Sequence, residues 1–208
     1  MKKFLCIFLC LLFIFPLTSC GENKEELKEI ADNYFTYLKE NDYENMCLLA
    51  GEDKDANLLQ DLHEIEEMFD VDTYGQAFID EAKSYTKMIA ENFIDSYEIT
   101  KVERNKDNKA RYLVRVTAQM RDYDSDTALK IYNFDDIVKQ SLEFNETELT
   151  KVYEEQGEKA FLHTVYEKAG EQYFGLLRSS MKAVKPQKTE LTIALEKSDD
   201  TWKVVEIY

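Results

Sequence analysis

The feature that most constrains the fold is a change in the spacing of apolar residues that occurs twice along the chain. In residues 110–120 every second side chain is apolar, from Tyr112 to Met120. The same alternation returns in residues 191–196. A period of two is typical of a strand with one packed face and one polar face, whereas most of the remaining chain has helical spacing. The sequence therefore predicts helices, strands, helices and strands, in that order.

Both strand regions have the pattern of a hairpin. Residues 97–104 are strand-like and are joined to residues 110–120 by a turn cluster, Asn105-Lys106-Asp107-Asn108. Residues 191–196 are followed by Ser198-Asp199-Asp200 and then by an apolar run over 202–208. Clusters of Asn, Asp and Ser between strand-like runs favour tight turns. We expect two antiparallel hairpins.

The region before the first hairpin has helical spacing. Leu27 to Leu38 form one apolar stripe, and Asn41-Asp42 can cap a short helix that Gly51 ends. Asp72 or Thr73 can cap a later run, because both side chains accept hydrogen bonds from helix N-terminal amides. The apolar positions of that run are Phe78, Ile79, Ala82, Tyr85, Ile89, Ala90 and Phe93.

Helical spacing also fills about 125–184, between the hairpins. A short stripe contains Phe134, Ile137, Val138 and Leu142, and a longer one contains Leu149, Val152, Tyr153, Ala160, Phe161, Val165, Ala169, Phe174, Leu177 and Met181. Each glycine inside a helix costs about 1 kcal/mol relative to alanine, so we expect a break at Gly157, Gly170 or Gly175.

These patterns predict one α+β domain over residues 25–208. Its helices would pack on an antiparallel sheet of about four strands, with a helical insertion at about 125–184 between the two hairpins.

The N-terminus has the layout of a secretory signal peptide. Lys2 and Lys3 precede an unbroken apolar run from Phe4 to Phe15, which is too short to span a bilayer. The following Leu17-Thr18-Ser19-Cys20 resembles the lipobox of bacterial lipoproteins. The resemblance implies cleavage between Ser19 and Cys20, so that residues 1–19 are the signal peptide and 20–24 a short tether.

The lipoprotein resemblance also implies a location. Cys20 would carry the acyl chains that hold the protein on the extracytoplasmic face of the cell membrane. Lysine outnumbers arginine 21 to 5, which suggests a low-GC, Gram-positive source. The membrane is the one partner that the sequence predicts.

The charge balance excludes one class of partner. The chain has 26 basic and 42 acidic residues and a net charge of −16. Removal of Lys2 and Lys3 with the signal peptide makes the mature chain two units more negative still. Nucleic-acid binding needs a basic face, so we expect no nucleic-acid partner.

Cysteine usage agrees with this organisation. Cys6 and Cys10 lie in the signal peptide and Cys20 would be acylated, which leaves Cys47 as the one cysteine of the mature domain. No disulfide can form within that domain. We expect Cys47 to be a small buried apolar residue.

Two acidic segments have part of the residue spacing of calcium-binding loops. Residues 53–64 place Asp and Asn at the spacing of EF-hand ligands, but Leu58 stands where the loop needs glycine. Asp122, Asp124 and Asp126 have a similar spacing, with Thr127 at the glycine position. We interpret residues 53–64 as a solvated acidic helix start and predict no metal site and no cofactor.

No catalytic constellation emerges from the sequence. His63 and His163 are the only histidines and neither forms a metal-binding pair at helical spacing, so we expect helix-surface or boundary positions for both. Glycine-rich phosphate loops, G-x-S-x-G and C-x-x-C are absent from the sequence. We predict no catalytic residues.

Both ends of the mature chain resemble the nuclear transport factor 2-like (cystatin-like) family found in many Gram-positive lipoproteins. The resemblance rests on an opening amphipathic helix followed by Asn41-Asp42-Tyr43-Glu44, and on the closing pair 191–195 and 202–207 with Trp202 after an acidic turn. It implies a cone-like sheet that curves around a pocket. Enzymes of this superfamily place acids and bases inside the cone, but the apolar face of residues 112–120 offers no Asp, His or Lys.

Three functions fit these observations. The first is a lipid-anchored cell-surface domain that binds a small molecule or a protein without catalysis. The second is a small-molecule enzyme with a cone-type pocket, and the third is a structural component of the envelope that acts through its helical lobe. Tyr and Phe are abundant enough to line a ligand cavity, although most should form the core.

Overall fold

Four antiparallel strands form one open sheet and are hydrogen-bonded in the order in which they occur in the chain. The computed structural model of the protein describes residues 24–123 and 133–208. The strands are β1 (Ile94–Arg104), β2 (Arg111–Met120), β3 (Gln187–Ser198) and β4 (Thr201–Ile207). Both predicted hairpins are present. They join because β2 pairs with β3 along its whole length.

The described residues form eight helices beside this sheet, and the predicted α+β class is confirmed. Five precede the first hairpin and three lie between the hairpins, which agrees with the predicted order of helices and hairpins; the number of helices was not predicted. They are α1 (Lys24–Glu40), α2 (Tyr43–Ala50), α3 (Gln60–Glu67), α4 (Val71–Tyr74), α5 (Gln76–Phe93), α6 (Phe134–Phe144), α7 (Glu146–Gln156) and α8 (Glu158–Lys182).

The sheet has one packed face and one charged face. The alternating side chains from Tyr112 to Met120 are all buried, as the period of two predicts. On the opposite face, the Arg111 guanidinium bridges Glu196 on β3 and Glu206 on β4, at 2.9 and 3.2 Å. The packed face therefore turns toward the helices and the charged face toward solvent.

Helix α1 packs on the sheet, and its apolar side chains fill the space between the helix and the sheet. Its predicted stripe is buried at Leu27, Ala31, Tyr34 and Leu38 and partly buried at Ile30. Phe35 adds a ring contact of 4.3 Å with Tyr97 on β1. The buried Tyr34 hydroxyl accepts a hydrogen bond of 3.1 Å from the Leu58 amide. Trp202 joins the same cluster and is 6% exposed. Side chains of α1 and of the packed face of the sheet thus form one hydrophobic core.

A second hydrophobic cluster joins α5 to α8. The Phe78 and Phe174 rings meet edge to face at 5.3 Å, and Ala82 and Ile89 continue the contact along α5. Helix α8 comes close enough that a β-carbon on Gly170 would lie 2.6 Å from the Phe78 ring. Arg178 on α8 also pairs with Glu81 on α5 at 2.7 Å.

Several local predictions are corrected by the structure. Asp70, and neither Asp72 nor Thr73, caps a short helix before Gly75, where φ of +81° redirects the chain into α5. The predicted break in the second helical region lies at Gly157, whose φ is +84°. Tyr153 and Leu142 were expected in apolar stripes but are exposed, because the short helices α6 and α7 bury one or two side chains each.

Some predictions fall outside the described residues. The signal peptide, its cleavage site and Cys20 precede residue 24, and Asp124 and Asp126 lie within 124–132. Among the residues that are described, no helix combines the length and the hydropathy needed to cross a bilayer.

Candidate functional site

A cleft of about 560 Å³ opens where the two hydrophobic clusters meet. Six elements contribute to it: α1, α3, α5, the adjoining ends of β2 and β3, and α8. Its lining residues are Leu38, Leu58, Asp61, Leu62, Ile65, Tyr85, Ile89, Ala90, Phe93, Met120, Arg121, Asp122, Tyr123, Met181, Gln187 and Thr189. This set is called the cleft below.

The cleft exists because the packed face of the sheet extends beyond the helix that covers it. Met120, Gln187 and Thr189 end that face, since Met120 pairs with Gln187 and Thr189 with the buried Ala118. Helix α5 forms the opposite wall with Tyr85, Ile89 and Phe93, which recur every four residues and so share one helix face. The helical wall is therefore mainly apolar, and the sheet floor combines Met120 with the polar Gln187 and Thr189.

Two tyrosines bring hydroxyls to this apolar wall. Burial is the largest cause that raises the pKa of Tyr85, to about 12, and the nearby Tyr173 and Tyr123 add to it. Burial also raises the pKa of Tyr123. Both phenols are therefore neutral at physiological pH, where they can donate or accept hydrogen bonds but do not act as bases.

The polar residues Asp61, Arg121 and Asp122 form what is called the rim of the cleft below. The Arg121 side chain is fixed there by contacts within the protein. Its guanidinium pairs with both carboxylate oxygens of Asp95, one of them at 3.2 Å, and donates to the Asn92 and Val184 carbonyl oxygens, at 2.5 and 3.2 Å. These contacts use four of its five N–H groups. The Arg121–Asp95 pair is electrically neutral, so it presents little net charge to the cleft.

The other side of the rim carries a triad of one lysine and two acidic residues. Lys54 bridges Asp61 and Glu64, with both nitrogen–oxygen distances at 2.7 Å. The two carboxylates raise the pKa of Lys54, and the hydrogen bond from Lys54 lowers the pKa of Glu64. One lysine between two carboxylates leaves the three side chains with one net negative charge.

A second, smaller cavity of about 120 Å³ lies behind the same rim. It shares Arg121, Tyr123 and Met181 with the cleft and adds Met88, Asn92 and Lys182. Its size admits a few water molecules at most, since one water occupies about 30 Å³ of liquid. We therefore treat the cleft as the candidate ligand site.

The acidic segment 53–64 has a structural role. The Asp53 carbonyl oxygen accepts from the amides of Ala56 and Asn57, and the segment turns before α3 begins at Gln60. Asn57 is buried and donates to the Gly51 carbonyl oxygen at 2.8 Å. No group of three or more His, Cys, Asp or Glu in the described parts of the chain is placed to hold a metal ion.

The two histidines lie on different helices, and each makes contacts that connect its helix to a neighbouring helix. The His63 ring stacks on Tyr43 with centroids 3.7 Å apart, and its Nε2 is 3.3 Å from Glu67. The His163 Nε2 donates to the Asp72 carbonyl oxygen at 2.9 Å, which ties α8 to α4. Both are partly buried boundary residues, as expected.

Cys47 is a free thiol that is half-buried. The Asn57 amide nitrogen lies 3.6 Å from its sulfur. The expectation of full burial was wrong, because α2 is short and buries only Met46 and Ala50.

Sequence reasoning did not single out the cleft. Tyr85, Ile89 and Phe93 were assigned to a core-facing stripe, and Arg121 and Asp61 drew no attention as rim residues. The nearest signal was the abundance of Tyr and Phe, which suggested a ligand cavity without placing it.

The comparisons with known proteins do not assign the chain to a family. No protein-family model, no curated protein and no solved structure matches the chain.

Proposed function

We propose that this protein is a lipid-anchored, extracytoplasmic binding domain that holds a small apolar molecule in the cleft. The observation that carries the proposal is the cleft itself: a mainly apolar recess of about 560 Å³ at the junction of sheet and helices. Ligand sites in proteins are typically apolar recesses of about 300–1,000 Å³ with a few polar groups. The rim residues Asp61, Arg121 and Asp122 supply such groups.

The anchor in this proposal is Cys20. Its support is the order of a basic start, an apolar run and Leu17-Thr18-Ser19-Cys20. Helix α1 begins at Lys24. The tether of residues 20–24 would therefore keep the domain within about 18 Å of its acyl chains, at about 3.6 Å per extended residue.

The state of the ionisable groups supports binding over catalysis. Arg121 is paired with Asp95, Asp61 is paired with Lys54, and both cleft tyrosines are neutral phenols. A general base needs a group that can take up a proton near neutral pH and that faces the substrate. The enzyme alternative therefore finds less support than a binding function.

The proposal is tested by filling the cleft. Thr189 lies on the packed face of β3 and lines the cleft, so Thr189→Trp places an indole inside it. Thr117→Trp makes the same exchange on the charged face of β2. The probe is N-phenyl-1-naphthylamine, an uncharged dye that fluoresces in apolar surroundings.

We expect saturable probe binding by the wild type and by Thr117→Trp, and its loss in Thr189→Trp. Far-UV circular dichroism checks that both variants fold. Equal binding by all three proteins would locate the probe elsewhere and contradict the proposal.

One observation favours the structural-component alternative as a second candidate. Phe144, Tyr153 and Leu162 in the α6–α8 lobe are 83%, 54% and 40% exposed. Large exposed apolar side chains on one helical lobe can provide a contact surface for another protein. Cross-linking in intact cells through a photoreactive residue at position 144 tests this role, since a defined adduct supports it and the absence of any adduct opposes it.

A further inference from the structure

We propose that the apolar ligand of the cleft carries a carbonyl oxygen, as a ketone or an ester does, and that this oxygen accepts a hydrogen bond from the Tyr85 hydroxyl. This inference rests on the proposed binding function and names the chemical class of its ligand. Its basis is a pair of tyrosine hydroxyls, those of Tyr85 and Tyr123, that line the cleft and have no hydrogen-bond partner among the described residues.

The Tyr85 ring is held in the core while its hydroxyl is open to the cleft. Tyr85 is 6% exposed, and its ring packs against Phe174 with centroids 5.7 Å apart. Every buried side-chain nitrogen or oxygen atom of the described residues has a hydrogen-bond partner. Since the Tyr85 hydroxyl has none, it belongs to the small accessible part of the residue. Tyr85 lines the cleft, so a molecule bound there can reach this hydroxyl.

A comparison with Tyr34 shows what distinguishes Tyr85. Tyr34 is fully buried, and its hydroxyl accepts a hydrogen bond of 3.1 Å from the Leu58 amide. A buried polar group without a partner costs free energy, and the backbone removes that cost for Tyr34. Tyr85 is almost as deeply buried but has no such partner within the described chain. Its hydroxyl therefore depends on water or on a ligand in the cleft.

Tyr123 brings a second hydroxyl to the same region. It is 8% exposed, lines the cleft just after β2, and places its ring 6.1 Å from that of Phe93. Tyr123 is close enough to Tyr85 to contribute to the raised pKa of Tyr85. A carbonyl oxygen has two lone pairs, so it can accept from both hydroxyls at once.

The chemistry of the phenols favours an acceptor on the ligand. A phenol donates hydrogen bonds better than it accepts them, because its oxygen lone pair is partly delocalised into the ring. Burial raises the pKa of both tyrosines, so both keep the proton that they donate. A carbonyl group supplies the acceptor without a net charge, which avoids the cost of taking an ion into an apolar recess. The rest of the ligand then contacts Ile89, Phe93 and Met120.

Two probes of the same shape isolate the carbonyl oxygen. They are 2-acetylnaphthalene and 2-isopropenylnaphthalene, in which a CH₂ group replaces the oxygen. The affinity of each is measured by its displacement of N-phenyl-1-naphthylamine. The protein is the chain from Cys20 with Cys20→Ser, which is the proposed mature form without acyl chains.

We expect Tyr85→Phe to weaken binding of the ketone about three- to tenfold and to change binding of the alkene by less than about twofold. Tyr123→Phe should weaken the ketone by a smaller factor, about two- to threefold. Tyr166→Phe is the matched control, because Tyr166 is a partly buried tyrosine that packs on the α5–α8 cluster but does not line the cleft. It should change neither affinity.

A stability measurement excludes a structural role for the hydroxyl. Because the Tyr85 hydroxyl has no partner within the described chain, Tyr85→Phe should leave the midpoint of urea unfolding unchanged in the absence of probe. A clear fall in the midpoint would mean that the protein itself uses this hydroxyl, which would contradict the inference.

The binding outcomes distinguish this inference from the proposed function. If both probes bind wild type and are lost in Thr189→Trp, but Tyr85→Phe affects them alike, the carbonyl preference is wrong and the apolar site stands. If Tyr123→Phe alone weakens the ketone, the assignment to Tyr85 is wrong. If neither probe displaces the dye from wild type, both the inference and the proposed function fail.

Discussion

Because α8 lies close to α5, we predict opposite effects on stability when two glycines of α8 are replaced by alanine. Gly170 faces the Phe78 ring, and an added β-carbon would lie 2.6 and 3.1 Å from two of the ring carbons. Around Gly175 an added β-carbon meets no atom within 4 Å. Both positions lie inside α8, so replacement by alanine brings each the same gain in helix propensity.

The magnitude follows from two opposing effects. Alanine stabilises a helix interior by about 1 kcal/mol relative to glycine. At position 170 the methyl group must displace Phe78, which is 1% exposed and held by Phe174 and Tyr74, and overpacking of this kind costs about 1–3 kcal/mol. We expect Gly170→Ala to destabilise the protein by about 1 kcal/mol and Gly175→Ala to stabilise it by about 1 kcal/mol.

Urea unfolding followed by circular dichroism measures both free energies, provided that the slope with denaturant is unchanged. Adding Phe78→Leu to Gly170→Ala should recover part of the loss, because the smaller side chain gives the methyl group room. Equal stabilisation by the two alanine substitutions would refute the close approach of α8 to α5.

Three further predictions concern the anchor, the core and the sheet surface. Cys20→Ala should abolish labelling by a fatty-acid probe and release the protein from the membrane fraction; unchanged fractionation would contradict the lipoprotein proposal. Trp202→Ala should cost about 3–5 kcal/mol in urea unfolding, since the ring is 6% exposed and meets Tyr112 edge to face at 5.5 Å, whereas a loss below about 1 kcal/mol would mean that Trp202 does not close the core. Hydrogen bonds from Lys101 and Arg115 lower the pKa of Glu103 from 4.5 to about 2, so their stabilisation should be complete above about pH 4.5 and disappear as the pH falls toward 2. Glu103→Gln should remove this part of the acid sensitivity in urea titrations at several pH values, and an unchanged pH profile would count against the ion pairs.

The sheet was predictable because its signal is local. Alternation in residues 110–120 and 191–196 fixes which side chains point inward, and the turns at 105–108 and 198–200 fix the pairing within each hairpin. Trp202 and Val204 lie two residues apart on β4 and are both buried, as a period of two requires of residues on the packed face. The pairing of β2 with β3 had no such local signal.

The cleft could not be predicted because it too has no local signal in the sequence. An apolar stripe shows which face of α5 is covered but not how far the covering element extends. Met120 and Thr189 reach the cleft because α1 leaves one end of the sheet uncovered, which is a property of packing between distant segments. The rim ion pair of Arg121 with Asp95 depends in turn on the way β1 and β2 pair.

The central claim is that an apolar molecule binds in the cleft, and methyl NMR spectra of the protein titrated with N-phenyl-1-naphthylamine test it most directly. The account predicts that the methyl signals of Ile89, Met120 and Met181 shift and saturate together. The buried Ile193, which does not line the cleft, should remain unchanged. Shifts confined to exposed methyl groups such as those of Leu162, or no saturable shift at all, would contradict the account.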